Sequence, residues 1–174
     1  MDGGVAALFH PVIAVSDMDE AVRFYRDLLG LRVTFDDYHD PAAISRLFDI
    51  REPVVHAVVV SCPDGSEIEL VEFEHPRRPT ARRDPGQPGV MAVNLLVHGV
   101  DAIVERLRAA GYEPSSPIVP QTLPDGGGIK VVVCRAPDDV AILLVELPPG
   151  RTSLAATPDA AASSQAATAT GPRS

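Results

Sequence analysis

The sequence predicts an α+β chain of two tandem βαβββ modules, and three observations carry that expectation. One order of periodicities, a strand, a helix and then three strands, occurs twice along the chain. The predicted long helix of each half ends on a glycine, Leu29-Gly30 in the first and Ala110-Gly111 in the second. A Pro-Asp-Gly turn precedes a strand in both halves, at Pro63 and at Pro124. The period of about 80 residues marks an internal duplication. Each half alone would bury too little apolar surface, so the halves are expected to share a core or face each other across a cleft.

In the first half HPVIAV, residues 10–15, reads as a strand, and Ser16 is the expected N-cap of the next helix, with Asp19 completing an acidic capping box. Met18, Ala21, Val22, Tyr25, Leu28 and Leu29 then recur at helical spacing, and Gly30 supplies a left-handed stop. LRVTF, VVHAVVVS and EIELVEF follow, each of strand length and bounded by turn residues such as CPDGS. Between the first two of these, DPAAISRLF predicts a short extra helix capped by Asp40, with Pro41 in its first turn. In the second half VMAVNLLV is a strand, Val100, Ile103, Val104 and Leu107 form one helical stripe, and PIVPQTL, IKVVVC and AILLVEL are the remaining strands.

The expected organisation is an extension over 1–7, a first module over 8–75, a linker over 76–90, a second module over 91–149 and a tail over 150–174. The linker carries Arg77, Arg78, Arg82 and Arg83 and reads as a solvated connection. The tail is low-complexity Ala, Ser, Thr and Pro and is expected to be disordered.

Composition narrows the function classes. With 45% hydrophobic and 22% charged residues the chain reads as globular, and it has no basic segment followed by a long apolar run. A cytoplasmic location is the expectation. The formal charge of -9 disfavours nucleic acid and anionic membranes, both of which call for a basic face, and leaves a small molecule as the expected partner. Cys62 and Cys134 are too few for a metal knuckle or a disulfide framework and read as free thiols.

The tandem modules, with VSDMDEAVRFYRDLLGL and the later GSEIELVEF, resemble the vicinal oxygen chelate superfamily, which includes glyoxalase I, methylmalonyl-CoA epimerase, extradiol dioxygenases and bleomycin-type resistance proteins. The resemblance covers roughly residues 8–148. It implies an eight-stranded sheet curled into a cleft with helices outside, a homodimer, and metal ligands on inward positions of the first and last strand of each module. His10 and Glu69 stand where the family carries its first histidine and first glutamate. Aligning the second module on its helix places Ala92 where the second histidine belongs, aligning APDDVAILLVE places Leu143 where the second glutamate belongs, and neither can bind a metal. With two of four positions left, no cofactor is expected, unless Asn94 or Gln121 serves as a weak amide ligand. A zinc, nickel or iron site normally takes at least three protein ligands.

Strand alternation then assigns a cleft face. Val12 and Ala14 share it with His10, and Val71 shares it with Glu69. In the second module Ala92, Asn94, Leu96, Leu143 and Val145 would line an apolar half-site with a single amide. Tyr38, His39 and His56 are further candidates for substrate contact, against the plainer alternatives of a solvated loop for the first two and a structural strand histidine for the third. His10 and Glu69 either transfer protons, which typically contributes ~10²–10⁴-fold, or persist as a satisfied pair left by a lost chelate.

Three functions compete. One is a metal-independent enzyme of secondary metabolism that dehydrates, isomerises or cyclises an apolar, polyketide-like or aromatic molecule. The second is a protein that sequesters a drug or metabolite. The third is a metal-dependent glyoxalase, epimerase or dioxygenase, which Ala92 and Leu143 disfavour.

Overall fold

The computed structural model describes residues 3–77, 79, 88–123 and 125–154. The expected tail from residue 155 onward and most of the arginine linker lie outside them. The described residues fall into two compact units, the first ending at Met91 but including Ala136–Val140, the second formed by Ala92–Arg135 and the chain from Ala141 on.

The first unit contains β1 (Val12–Val15), α1 (Met18–Val22), β2 (Arg32–Tyr38), α2 (Pro41–Phe48), β3 (Val54–Ser61) and β4 (Glu67–His75). Its sheet has the order β1-β4-β3-β2, with β1 parallel to β4 and the other pairs antiparallel. The second unit repeats the plan with β5 (Val93–Leu96), α3 (Val100–Ala109), β6 (Val119–Thr122), β7 (Gly128–Arg135) and β8 (Ala141–Glu146) in the order β5-β8-β7-β6. The fold is thus α+β, with two four-stranded mixed sheets.

Alternation along the strands decides which side is covered. Ile13, Val15, Val58, Val60, Ile68 and Leu70 are buried on the side that meets Phe24, Tyr25 and Leu28 of the first helix. Each such side chain contributes ~1.5–3 kcal/mol when fully withdrawn from water. The second unit packs Val100, Val104 and Leu107 against Val132, Ile142 and Leu144 in the same way.

The helix start departs from expectation. Asp17, not Ser16, is the N-cap: its backbone is extended (φ -146, ψ 109) and its carboxylate accepts from Glu20 N at 2.9 Å. The Ser16 hydroxyl is engaged elsewhere in this unit, donating to Asp138 Oδ1 at 2.6 Å.

Beyond Val22 the first helix continues as a π-helical segment, Arg23–Leu28, in which Leu29 N donates to Phe24 O, five residues back, at 3.1 Å. That turn holds one residue more than its counterpart in α3. Counting back from Gly111 alone would set Met91 opposite His10; the extra residue restores Ala92. Both helices end on a left-handed glycine, Gly30 at φ 82 and Gly111 at φ 89.

β2 also runs further than LRVTF, through Asp36, Asp37 and Tyr38. As an edge strand it tolerates carboxylates facing water, which a central strand would not. The extra helix is present as expected, with Asp40 accepting from Ala42 N at 3.0 Å and Pro41 in its first turn. Ile44 of α2 packs on Val55, Ala57 and Val71, closing one end of the sheet face opposite α1.

Candidate functional site

Pro11 carries the chain into β1 alongside β4, where its carbonyl accepts from Glu69 N at 3.0 Å. This sets His10 beside Glu69 on the face opposite α1. His10 Nε2 lies 3.2 Å from Glu69 Oε2, and each side chain is only 12% exposed. His10 Nδ1 is buried without a hydrogen-bond partner, its nearest carboxylate oxygen being Glu67 Oε2 at 3.9 Å, too far for a hydrogen bond. Phe9 stacks on the imidazole with ring centroids 4.1 Å apart.

The second oxygen of Glu69 is also engaged. His39 Nε2 lies 2.7 Å from Oε1, so one carboxylate holds two imidazoles. The geometry follows from the length of β2. Alternation along it puts Phe35 and Asp37 on the Glu69 face and Tyr38 on the other, and the next residue, His39, returns to Glu69. His39 N donates to Val55 O at 3.0 Å, and Asp40 then caps α2, so the histidine is held on both sides by ordered backbone.

Val12 is 56% exposed and Phe35 45% exposed on this face, with Ala14 also exposed, which gives the polar group an apolar surround. Val71 shares the face but is buried beneath Ile44, so it belongs to the packing of α2 and not to an open surface.

Two expected contact residues are elsewhere. His56 pairs with Glu72 and with Tyr38 across neighbouring strands, on the α1 side of the sheet. There His56 Nε2 lies 2.7 Å from Asp36 Oδ1 and its ring stacks on Tyr38. The Tyr38 hydroxyl donates to Glu74 at 2.7 Å, and that bond holds the phenol above its ordinary pKa. β3 is apolar on both faces, so alternation gave no signal for the side His56 takes.

In the second unit Asn94 is opposite Leu143, and Leu96 opposite Val145, on the face away from α3, with Ala92 preceding β5. The register settles the correspondence between modules, because Val12 is opposite Glu69 as Asn94 is opposite Leu143. Leu143 is therefore the counterpart of Glu69, and Ala92 that of His10.

One pair of structural carboxylates has no counterpart among the sequence expectations. Glu72 Oε2 accepts from Met18 N at 3.0 Å and Glu146 Oε1 from Gly99 N at 2.6 Å, each tying the first turn of a helix to the last strand of its own sheet. The signal was the repeated Leu-Val-Glu at 70–72 and 144–146.

These donors do not fit the four-ligand metal set that the fold family implies. Two of its four positions are methyl and isobutyl side chains. At the other two, each oxygen of Glu69 is paired with a different imidazole nitrogen, His10 Nε2 at 3.2 Å and His39 Nε2 at 2.7 Å. Among the described residues no group of three or more His, Cys, Asp or Glu is arranged to hold a metal ion.

The profile of the Glyoxalase/Bleomycin resistance protein/Dioxygenase superfamily matches residues 7–144. The chain belongs to that superfamily. It is 27% identical over 155 residues to a protein named 2-epi-5-epi-valiolone epimerase from Actinomyces sp., covering 84% of this chain and 82% of the relative. A lactoylglutathione lyase-like protein, terB, from Aspergillus terreus is 26% identical over 150 residues, covering 82% and 76%. A glyoxalase family protein from Bacillus cereus has the same fold, with a TM-score of 0.75 at 22% identity over 83% of this chain and 96% of that one.

Proposed function

We propose that this superfamily member is an enzyme of isomerase or lyase type that moves a proton on a small neutral molecule of secondary metabolism, without a bound metal. The observation that carries the reading is the Glu69 carboxylate, largely withdrawn from water and held between two imidazoles at 2.7 and 3.2 Å. A carboxylate so placed fixes the imidazole tautomer and stabilises the imidazolium that forms when a proton is taken up. The substrate class follows from the surroundings. Glu67 and Glu69 give this face negative charge, which repels phosphates and carboxylates, while Val12 and Phe35 offer apolar contact. A neutral carbonyl compound with a proton on the adjacent carbon suits both. The names of the two relatives, one an epimerase and the other lyase-like, support the same reaction class.

The test is exchange of solvent deuterium into the carbon next to the carbonyl of 2-hydroxycyclohexanone and of α-tetralone, followed by NMR in chelator-treated buffer. Catalysed exchange that falls ~10²–10⁴-fold in Glu69→Gln supports the reading. Absence of exchange, or exchange that Glu69→Gln leaves intact, counts against it. A sequestering protein draws on the same exposed Val12 and Phe35; it would bind its ligand with no turnover, and Glu69→Gln would leave that binding nearly unchanged.

A further inference from the structure

Of the three side chains joined at Glu69, only one has a ring nitrogen available to a substrate. His10 is 12% exposed, its Nε2 is turned to Glu69 and its Nδ1 is buried. Glu69 is equally enclosed, and both its oxygens are taken by imidazoles. His39 is different. Its side chain is 35% exposed, Nε2 is the nitrogen held at 2.7 Å by Glu69, and Nδ1 has no hydrogen-bond partner among the described residues.

We infer that His39 is the catalytic acid–base residue of this site, acting through Nδ1, and that Glu69 and His10 are positioning residues behind it. The inference rests on the proposed proton-transfer reading and names the group that touches the substrate. An ionised carboxylate only accepts hydrogen bonds, so Nε2 of His39 must carry the hydrogen and Nδ1 must carry the lone pair. His10 Nε2 lies 3.2 Å from the other oxygen of Glu69, an ion-pair contact that limits how the carboxylate can turn.

The step balances without any further reactant. Nδ1 takes the proton from the carbon adjacent to the carbonyl, the C–H electron pair becomes the C=C bond of an enolate, and the carbonyl oxygen takes the negative charge. The imidazolium formed is paired with Glu69. Return of the proton to the opposite face, once the planar enolate has turned over in the site, completes an epimerisation. Return to the far carbon of a conjugated enolate completes an isomerisation, and return to the same face is the exchange that solvent deuterium reports. Where a hydroxyl stands on the next carbon, it leaves instead with its bonding pair and the His39 proton, as water, which completes a dehydration.

Two readouts on the full-length protein test this. The first uses no substrate: diethyl pyrocarbonate acylates accessible neutral imidazoles, and peptide mapping gives the order of modification. His39 is expected to react before His10, and ¹⁵N–¹H correlation spectra near pH 8 are expected to show His39 with its hydrogen on Nε2, a preference lost in Glu69→Ala. His10 reacting first, or His39 carrying its hydrogen on Nδ1, overturns the assignment. The second readout is the deuterium-exchange assay. His39→Ala is expected to lose ~10²–10⁴-fold and to be partly restored by added imidazole, a rescue that a merely structural histidine would not show. If wild type exchanges deuterium and His39→Ala does so at the same rate, the role of His39 is wrong while the proton-transfer function stands. If wild type shows no exchange, that function fails, and the acylation order and tautomer still decide whether His39 presents its free nitrogen.

Discussion

The two modules are one plan executed with two different sets of side chains. Both begin with a short strand parallel to the last strand of the sheet, both end the following helix on a left-handed glycine, and both use a glutamate at the end of Leu-Val-Glu to hold that helix by its first turn. At the positions that face away from the helix the likeness stops. His10 and Glu69 of the first module correspond to Ala92 and Leu143 of the second, and His39 follows a β2 that is three residues longer than β6 (seven residues against four). Even the lone lysine is spent on architecture, Lys130 Nζ lying 2.6 Å from Asp101 of α3. The difference teaches that duplication preserved what folds each module and let the face away from the helix diverge. The residues proposed to carry the chemistry all lie in the first module.

Paired substitutions across the modules measure that asymmetry. The largest effect is expected at the divergent positions: Glu69→Gln lowers exchange turnover ~10²–10⁴-fold, whereas Leu143→Gln at the matching position changes it by no more than a few-fold. Equal losses, read in the same assay, would mean that both modules carry reactive groups. Next come the shared core positions. Leu70 and Leu144 are both fully buried, and truncating either to Ala is expected to cost ~2–5 kcal/mol in denaturant unfolding.

A smaller contrast lies in the two helix-anchoring glutamates. Removing either side chain leaves a helix-terminal N–H short of a partner, at ~1–3 kcal/mol. Glu72→Ala should be the costlier, because the Glu72 side chain is 11% exposed and that of Glu146 is 23% exposed. Chemical denaturation of both variants compares them directly. The smallest effect concerns the thiol of the second module. Burial pushes the Cys134 pKa up to about 11, with Arg108 opposing weakly, so the group stays a neutral thiol near pH 8. Iodoacetamide is expected to leave Cys134 unmodified in the native protein and to reach it after unfolding; rapid native labelling would show that β7 is less well covered than described.

The repeated order of elements was legible because it is written in apolar periodicity and in glycines, signals that local sequence carries. His10 and Glu69 were legible for a related reason, since each lies on a strand whose alternation separates an apolar face from a polar one. His39 was not legible as a partner of Glu69. Asp36 and Asp37 are poor strand formers, so LRVTF ended too early, and without two further steps of alternation neither Tyr38 nor His39 could be given a side. Ser16 and Asp17 are both good caps, and sequence alone ranks them poorly; Asp138, distant in the chain, claims the serine hydroxyl. Glu72 looked like one more polar residue at a strand end, because its partner, the Met18 N–H, becomes a neighbour only when β1 lies parallel to β4.

One measurement bears most directly on the claim that a carboxylate joined to two histidines, and not a chelated metal, runs the chemistry. Wild-type protein dialysed against a strong chelator is assayed for deuterium exchange at the ketone α-carbon, beside Glu69→Gln treated in the same way. Retained wild-type exchange, with a ~10²–10⁴-fold loss in the variant, is the expected result. Loss of wild-type exchange on chelation and its recovery with one equivalent of zinc, nickel, manganese or iron would contradict it.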